Sequence, residues 1–476
     1  MAPDDLCYAS ATELLAAFRR RELSPVDVLQ AQIARREAVN PEINALAFTF
    51  DEEALLAAKA AERAYAQGRA RPLEGITCAI KDETYVRGQV TTNGSLLLRD
   101  AVATATDPVP ERLLAAGAII HQRTCTPEFS VAAYTWSRLW GVTRNPWNRA
   151  FTPGGSTGGG AAALAAGMAT LSNGTDLGGS VRIPASQCGL IGFKASHGRM
   201  PEIFPYNMDP YCHHGVMARQ VPDLSLAYEC VAGPHAADLS SQLPPDSPAE
   251  PLADLQGVVL GYSLDMGFYE LAPCVRANTL ETLERLSAAG AELVEVEMQL
   301  GDWVVEMART HQGFLMGALL RQAYGSAERG DQLCDYTRWH LAHPGEVTPE
   351  QVRWANECAN RIWMQLGPVL ERVDAFVCPT VASPEIAADF DYSRDRCLIN
   401  GKPVDANKGW FMTYPFNAVG RCPVLAMPTG LSAEGVPTGM QLVGAPYRDR
   451  RLLALAAAVE AALPSWFGAE RRPDLP

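Results

Sequence analysis

The sequence has 476 residues and a formal net charge of −14 at pH 7, from 40 Lys and Arg against 54 Asp and Glu. So acidic a chain repels phosphate backbones, and no nucleic-acid partner is expected. Apolar residues make up 47% of the chain, which is typical of a globular protein. No apolar stretch is long enough to span a bilayer, so no membrane partner is expected.

The first residues and the cysteines both favour a cytoplasmic location. Residues 1–5 include two aspartates and no apolar run follows them, so a signal peptide is not expected. The 12 cysteines are scattered between Cys7 and Cys422 and form no C-x-x-C pair. In a chain of this length they indicate reduced thiols rather than a disulfide framework.

The N-terminal part of the chain has the pattern of three helices. The predicted helices cover residues 10–21, 26–39 and 51–67. Ser24 and Pro25 fit the N-cap and the first position of the second helix, and Pro41 is expected to stop it.

From residue 71 onward, short apolar runs alternate with helical patterns. The predicted strands are residues 76–80, 118–122, 373–378, 425–428 and 439–443. The predicted helices are residues 110–116, 161–169, 274–289, 349–366 and 450–463. Strands that alternate with helices predict an α/β fold with a largely parallel sheet.

Two glycine-rich loops each present a serine. Residues 154–160 hold five glycines around Ser156, and residues 174–180 end in Gly-Gly before Ser180. Glycine permits positive φ and lets backbone approach a ligand closely. Neither loop contains the Gly-Lys-[Ser/Thr] of a phosphate loop, and residues 149–153 are not the apolar strand that a dinucleotide fingerprint follows. Nucleotide binding is therefore excluded.

The first loop also fits a different hydrolase motif. Residues 154–158 match G-x-S-x-G, the nucleophile elbow of α/β-hydrolases. A helix is predicted after the motif, but Pro153 and the polar residues before it fit the required strand poorly. Because histidines for a downstream triad are present, an esterase with Ser156 as nucleophile stays open as an alternative.

Lys81 offers another base for a serine. It follows the predicted strand 76–80 and precedes Asp82. An isolated lysine at a strand end is usually a surface residue, but together with two serine loops it suits nucleophile activation. A serine hydroxyl needs a base, and burial can lower the pKa of a lysine enough for its neutral amine to accept a proton.

These segments resemble the amidase signature family. Residues 72–82, 154–159 and 174–186 are similar to its lysine segment, its first serine loop and its nucleophile loop, the last almost letter for letter. Further similarities lie at residues 124–129, 143–148, 188–194, 415–417 and 439–444. The resemblance covers nearly the whole chain and is strongest between residues 72 and 200.

The resemblance implies a fold and a catalytic triad. The fold would be the amidase signature fold, a large twisted mixed, mostly parallel sheet covered by helices on both faces. By position, Lys81 is the implied base, Ser156, after a cis peptide bond, the implied proton relay, and Ser180 the implied nucleophile. The implied oxyanion hole consists of the backbone N–H groups of Leu177, Gly178, Gly179 and Ser180.

Three further residues are predicted to bind substrate: Phe129, Gly155 and Thr157. Phe129 is included because it lies between the lysine and serine segments. Two positions depart from the family pattern. Thr157 stands where a second serine is usual, and its extra methyl is expected to shift the relay geometry slightly. Cys125 replaces a frequent asparagine, with no consequence that the sequence indicates.

The implied reaction is hydrolysis of a small or aryl carboxamide through a Ser180 acyl-enzyme. Aromatic residues after position 200 favour an apolar or aryl pocket. Hydrolysis of carbamates (urethanes) or esters on the same triad is an alternative, because it passes through the same tetrahedral intermediate. The glutamine-amidase subunit of a tRNA-dependent amidotransferase is another. The expected partner is a small-molecule amide, and a homodimer is an open question.

No cofactor or metal is expected. Cys212, His213 and His214 are metal-ligand residue types, but no fourth ligand has characteristic spacing.

No repeat or low-complexity linker divides the chain, so one amidase domain is predicted over residues 1–476. Its predicted parts are an N-terminal helical segment (1–70), a catalytic core (71–200), a variable specificity region (201–420) and C-terminal core elements (421–476).

Overall fold

The computed structural model describes residues 3–468 and 470–476. Its strands are β1 (Leu46–Thr49), β2 (Thr77–Lys81), β3 (Ile119–Thr124), β4 (Trp136–Ser137), β5 (Gly141–Val142), β6 (Leu171–Thr175), β7 (Ile191–Lys194), β8 (His214–Ala218), β9 (Val259–Tyr262), β10 (Glu292–Glu295), β11 (Ala375–Pro379), β12 (Cys397–Ile399), β13 (Lys402–Val404), β14 (Val424–Leu431) and β15 (Pro437–Val443). Its helices are α1 (Pro3–Tyr8), α2 (Ala11–Arg20), α3 (Pro25–Ile43), α4 (Asp51–Ala66), α5 (Pro108–Ala115), α6 (Gly158–Ala165), α7 (Arg182–Cys188), α8 (Val221–Val231), α9 (Pro273–Ala288), α10 (Trp303–Gln312), α11 (Ala318–Tyr324), α12 (Ala327–Gly330), α13 (Asp335–Ala342), α14 (Pro349–Leu370), α15 (Tyr414–Ala418) and α16 (Asp449–Ala461).

Eleven of the described strands form one sheet, in the order β1-β3-β2-β6-β8-β7-β14-β15-β11-β9-β10. The predicted large mixed sheet is confirmed. Of the ten pairings between these described strands, four are parallel, in the blocks β3-β2-β6 and β11-β9-β10, and six are antiparallel. Antiparallel pairing is thus more frequent than the sequence pattern indicated. One reason is that β8 lies between β6 and β7 and runs against both, and another is that β14 and β15 form a hairpin, whose strands must be antiparallel.

Both faces of the sheet are covered. In β11, Ala375 and Val377 pack in one hydrophobic cluster with residues of α16, whereas Phe376 and Cys378 pack in another with residues of α14. Successive strand residues point to opposite faces, so the two clusters lie on opposite sides of the sheet. The site described below lies at the carboxyl ends of the neighbouring strands β2 and β6.

The predicted N-terminal helices are present as α2, α3 and α4, with Ser24 capping α3 and Pro25 at its first position. The prediction that α3 stops near residue 39 is wrong, because the helix continues through Pro41 to Ile43. A proline in the last turn removes only the hydrogen bond of its own nitrogen, and the N–H of Asn44 still bonds the carbonyl four residues earlier at 2.7 Å.

Candidate active site

Lys81 and the second serine loop lie at the carboxyl ends of neighbouring strands. β2 ends at Lys81 and β6 ends at Thr175, and the two strands pair in parallel. The carboxyl ends of parallel strands meet at the same edge of a sheet, where ligands usually bind. As a result, Lys81 Nζ donates a hydrogen bond to Thr175 Oγ1 at 2.7 Å.

The side chain of Lys81 is fully buried. Its Nζ lies 2.7 Å from Ser156 Oγ and 2.6 Å from Glu83 Oε2. The backbone N–H of Lys81 donates to Asn173 Oδ1 at 2.9 Å, which fixes the end of the strand. The amine is therefore held within hydrogen-bond reach of a serine hydroxyl.

Glu83 is the charged partner of this amine. Its Oε2 also accepts hydrogen bonds from Thr175 Oγ1 at 2.7 Å and Ser130 Oγ at 3.0 Å. Burial lowers the pKa of Lys81, and the negative charge of Glu83 opposes that effect without cancelling it. Burial alone would raise the pKa of Glu83, but the attraction of Lys81 outweighs it and the pKa of Glu83 is lowered. The Lys81 amine can therefore gain or lose a proton more easily than an exposed lysine, while the Glu83 carboxylate beside it stays ionised.

The first serine loop is packed tightly against neighbouring backbone. The peptide bond between Gly155 and Ser156 is cis, and Ser156 is fully buried. A Cβ at Gly155 would lie 2.5 Å from the Tyr134 carbonyl oxygen, and one at Gly159 would lie 2.5 Å from the Cys125 nitrogen. Only glycine fits at such distances. Helix α6 begins inside this glycine run, three residues before its predicted start.

The two departures from the family pattern both lie beside this loop. Cys125 acts through its backbone, because its N–H donates to Ala45 O at 2.8 Å and its carbonyl accepts from the Gly159 N–H at 3.2 Å. Burial raises the pKa of the Cys125 thiol. Thr157 Oγ1 is buried and has no hydrogen-bond partner among the described residues. The N–H of Thr157 donates to Ser180 O at 3.1 Å, so its backbone joins the two serine loops.

The second serine loop exposes backbone donors. In the described part of the chain, the backbone N–H groups of Leu177, Gly178 and Ser180 donate no hydrogen bond to a protein acceptor. The N–H of Gly179, in contrast, donates to Asp176 Oδ1 at 2.8 Å. Gly179 has a φ of +116°, a backbone conformation that favours glycine. Gly179 therefore shapes the turn, whereas the N–H groups of Leu177, Gly178 and Ser180 stay available as hydrogen-bond donors.

A buried ion pair holds this loop in place. Arg182 donates to both carboxylate oxygens of Asp176, at 2.9 and 3.0 Å, and both side chains are fully buried. Asn417 Nδ2 adds a bond to the same carboxylate at 2.9 Å. Burial would raise the pKa of Asp176, but the charge of Arg182 holds it below its ordinary value. Asp176 is thus an ionised anchor for the loop.

One pocket contains both serines. Ser156 and Ser180 line it together with apolar side chains that include Ile183, Met316 and Phe411. Ser156 is fully buried, whereas Ser180 is partly exposed. The pocket therefore offers a reachable hydroxyl at Ser180 and an apolar wall for a substrate.

The three residues predicted to bind substrate lie close to this pocket but outside its lining. The ring of Phe129 stacks on Tyr324 with 4.9 Å between ring centres, and only 3% of Phe129 is exposed. Its neighbours Ser130 and Val131 line the pocket instead. Gly155 and Thr157 pack within the first serine loop, as described above.

The sequence profile of the amidase family matches residues 27–453. The chain belongs to the amidase family. This amidase is 32% identical to the acylamidase of Rhodococcus erythropolis, over 99% of this chain and 98% of that protein. It is also 32% identical to a glutamyl-tRNA(Gln) amidotransferase subunit of Geobacter metallireducens, over 94% of this chain and 96% of that relative.

Solved structures agree with this assignment. A bacterial aryl acylamidase belonging to the amidase signature enzymes matches this amidase with a TM-score of 0.87 and 26% identity, over 96% of each chain. The 6-aminohexanoate cyclic dimer hydrolase matches with a TM-score of 0.83 and 26% identity, over 98% of this chain and 99% of that one. The protein is therefore an amide-hydrolysing enzyme with the amidase signature fold.

Within this amidase, Lys81 contacts Ser156, and Ser180 lines the same pocket as Ser156. Glu83 is a site residue that the sequence analysis missed. Its one signal in the sequence was that an acid follows Lys81 by two positions. Residues 82–84 form a turn after β2, in which the Thr84 N–H donates to the Lys81 carbonyl at 3.1 Å, and this turn places the Glu83 carboxylate beside the amine.

Two kinds of site are absent from the described residues, namely a metal-ligand cluster and a membrane-spanning helix. Within residues 3–468 and 470–476, no group of three or more His, Cys, Asp or Glu side chains could hold a metal ion. In the same described ranges, no helix is both long and apolar enough to cross a membrane.

The anchor pair gives a prediction about stability. Replacing Arg182 by methionine should lower the free energy of unfolding by about 3–5 kcal/mol, because it leaves the Asp176 carboxylate buried without its partner. Urea denaturation followed by circular dichroism measures the change. The matched control is Arg285→Met, which breaks an exposed pair with Glu281 and should cost no more than about 1 kcal/mol. Equal midpoints for the two variants would show that the Asp176 pair does not anchor the fold.

Proposed function

We propose that this enzyme hydrolyses small or aryl carboxamides through an acyl-enzyme formed on Ser180. In this scheme Ser156 relays a proton and Lys81 is the base. The single observation that carries the proposal is the 2.7 Å contact between Lys81 Nζ and Ser156 Oγ, in a pocket that Ser180 also lines.

The first step is attack of Ser180 Oγ on the amide carbonyl carbon. The Ser180 proton passes to Ser156 as the Ser156 proton passes to Lys81, so the amine becomes an ammonium ion. Glu83 lies 2.6 Å from that nitrogen and Thr175 Oγ1 lies 2.7 Å from it, and both stabilise the positive charge as it forms. The proposed base therefore has its counter-ion in place before the reaction begins.

The negative charge on the carbonyl oxygen needs fixed donors. The N–H groups of Leu177, Gly178 and Ser180 have no acceptor in the described structure, which makes them the proposed oxyanion hole. Gly179 supplies the turn, since its N–H is occupied by Asp176. One preorganised donor of this kind is typically worth about 10²–10³ in rate.

The tetrahedral intermediate then breaks its carbon–nitrogen bond. The ammonium ion of Lys81 returns its proton through Ser156 to the departing nitrogen, and a neutral amine leaves. Water then attacks the Ser180 ester while its proton passes through Ser156 to Lys81. The proton returns to Ser180 Oγ as the ester bond breaks, which releases a carboxylic acid and restores the hydroxyl.

The relatives and the pocket together favour acyl amides of aromatic amines. Two of the similar proteins are an acylamidase and an aryl acylamidase. The pocket wall formed by Ile183, Met316 and Phe411 can contact an apolar ring. Carbamates and esters remain alternatives on the same groups, because the attacked carbonyl is equivalent.

The amidotransferase alternative is supported by the similarity to a glutamyl-tRNA(Gln) amidotransferase subunit. It predicts that the isolated chain has little activity on simple amides and needs partner chains. A substrate panel of aliphatic amides, anilides, carbamates and esters, tested on the purified chain alone, separates the two functions. Steady hydrolysis of anilides by the isolated chain supports the free-standing amidase.

Active-site labelling tests the nucleophile directly. A fluorophosphonate probe followed by peptide mass spectrometry should modify Ser180. Modification of Ser156 would instead support the elbow-type esterase. The structure offers that alternative little support, because residues 154–158 follow no described strand and the hydrogen-bond partner of Ser156 is Lys81.

A further inference from the structure

A second lysine lies on the wall of the active-site pocket. Lys408 is 6% exposed and lines the same pocket as Ser156 and Ser180. Its Nζ donates to Gln312 Oε1 at 2.7 Å. Among the described residues, no carboxylate lies within ion-pair distance of that nitrogen. The mechanism proposed above uses none of these groups.

The acid three positions before Lys408, Asp405, already has partners. Asp405 forms an ion pair with Arg309 and accepts the backbone N–H of Lys408 at 2.8 Å. The Lys408 nitrogen itself lies 5.9 Å from the ring centre of Phe411 and 5.7 Å from that of Tyr414. Burial, aided by Arg309, lowers the pKa of Lys408 to about 7. An anion placed beside this amine would therefore favour its charged form.

Gln312 extends this polar wall toward the reaction centre. Its Oε1 is bound by Lys408, while its Nε2 has no acceptor in the described residues. That Nε2 lies 3.5 Å from where a Cβ on Gly178 would be, so it stands beside the proposed oxyanion loop. Gln312 ends α10, and a π-helical turn, Gly313–Gly317, follows it. Such turns occur frequently at functional sites.

The other charged groups on the pocket wall already have partners. The acids that line the pocket pair with cations in the contacts Glu83–Lys81, Asp176–Arg182 and Glu202–His214. Of the described lining residues, Lys408 is the single Lys or Arg. Lys408 is therefore the side chain on this wall whose positive charge no carboxylate neutralises, and a negatively charged substrate group can pair with it.

We propose that Lys408 and Gln312, beside Asn407 on the same pocket wall, bind a carboxylate carried by the amide substrate at a distance from the scissile bond. Substrates of this class are monoamides of dicarboxylic acids and amides of carboxylate-bearing amines. The subsite rests on the proposed function, since it assumes that the amide itself is cleaved at Ser180. A charge-assisted hydrogen bond from the ammonium, with amide donors beside it, is the recognition chemistry.

Binding to the Ser180→Ala variant tests the subsite without turnover. Isothermal titration compares two matched pairs of compounds: glutaranilic acid with pentananilide, which places the carboxylate on the acyl side, and 4-acetamidobenzoate with acetanilide, which places it on the amine side. In at least one pair the carboxylate compound should bind about tenfold tighter or more than its neutral partner. If neither carboxylate compound has an advantage, the subsite does not exist.

Variants at position 408 then assign the advantage to the lysine. In the Ser180→Ala background, Lys408→Met should reduce the ratio of affinities to about one, and Lys408→Arg should retain part of it. The control Lys402→Met removes an exposed lysine that pairs with Glu270 at 2.8 Å, and it should leave the ratio unchanged. An advantage that persists in Lys408→Met overturns the proposal even if the carboxylate compounds bind well.

The proposed function has a separate readout. If the wild-type chain hydrolyses pentananilide but shows no carboxylate preference, the subsite fails and the amidase stands. If the carboxylate advantage is present but neither anilide is hydrolysed, the reaction scheme fails and the binding subsite stands.

Discussion

Ser180→Ala should lower kcat on an anilide substrate by on the order of 10⁶-fold, because it removes the proposed nucleophile and with it the acyl-enzyme route. The expected residual rate comes from direct attack of water on the amide carbonyl. The free N–H groups of residues 177, 178 and 180 would still stabilise the negative charge on its oxygen. Steady-state kinetics measures the loss, and mass spectrometry of the quenched reaction should show an acylated wild-type chain but no acylated variant. The fold should be intact, because Ser180 lies partly exposed in a pocket rather than in the core.

A second serine on the following helix provides the matched control. Ser186 is fully buried in α7, and its hydroxyl has no hydrogen-bond partner among the described residues. Ser186→Ala should keep the wild-type rate and melting temperature. Turnover by Ser180→Ala within tenfold of the wild type would show that another group attacks the carbonyl.

Lys81→Met should lower kcat by about 10²–10⁴, the usual contribution of a positioned general base. Methionine matches the length of the lysine chain and leaves Glu83 its bonds from Thr175 and Ser130, so collapse of the site is not expected. Because the loss affects the chemical step, higher substrate concentrations should not restore the rate. Saturation kinetics at several pH values measures both effects.

The pH dependence has a defined sign. The proposed base, Lys81, accepts a proton only as the neutral amine, so kcat should rise with pH through the pKa of Lys81, which burial has lowered from its ordinary value. Glu83→Gln is the matched control: it keeps the amine but removes the charge that raises its pKa, so the rising limb should move to lower pH. In Lys81→Met the limb should vanish. A limb that persists unchanged in Lys81→Met would assign the titration to another group, such as a histidine.

The placement of Lys81 beside Ser156, and of Ser180 in the pocket that Ser156 lines, could be expected from the sequence because each residue has a local pattern. Lys81, Ser156 and Ser180 each lie in a short segment whose glycines or β-branched run give it a recognisable pattern. Glu83 was missed although it lies two residues from Lys81, because an acid at a strand end also fits a solvated turn. The occupied N–H of Gly179 could not be predicted, since it depends on the orientation of the Asp176 side chain.

Lys408 and Gln312 show why the rest of the pocket could not be predicted. They lie 96 positions apart in the chain and reach the pocket only through packing of the variable region against the core. No local pattern marks either residue. The domain boundaries proposed within the chain likewise stay predictions.

Two strands illustrate the limits of periodicity. β8 (His214–Ala218) is buried at every position, so its sequence has no alternation, and His213 and His214 drew attention as metal-ligand types instead. In β3, the pairing with β2 skips His121, because Ile120 pairs with Cys78 and Gln122 pairs with Ala79. That irregularity breaks the two-residue period within the strand. The strand was predicted to end at residue 122, but it continues through Arg123 to Thr124, two polar residues that are fully buried.

The glycine contacts of the first serine loop divide the active site into a rigid part and an adjustable part. At Gly155 and Gly159 even one added methyl group would overlap neighbouring backbone, so natural variation and protein engineering have almost no freedom there. Other parts of the pocket are lined by long side chains such as Met316 and Phe411, which belong to separate segments. New substrates can therefore be accommodated by exchanging these side chains, while the backbone of the first serine loop stays unchanged.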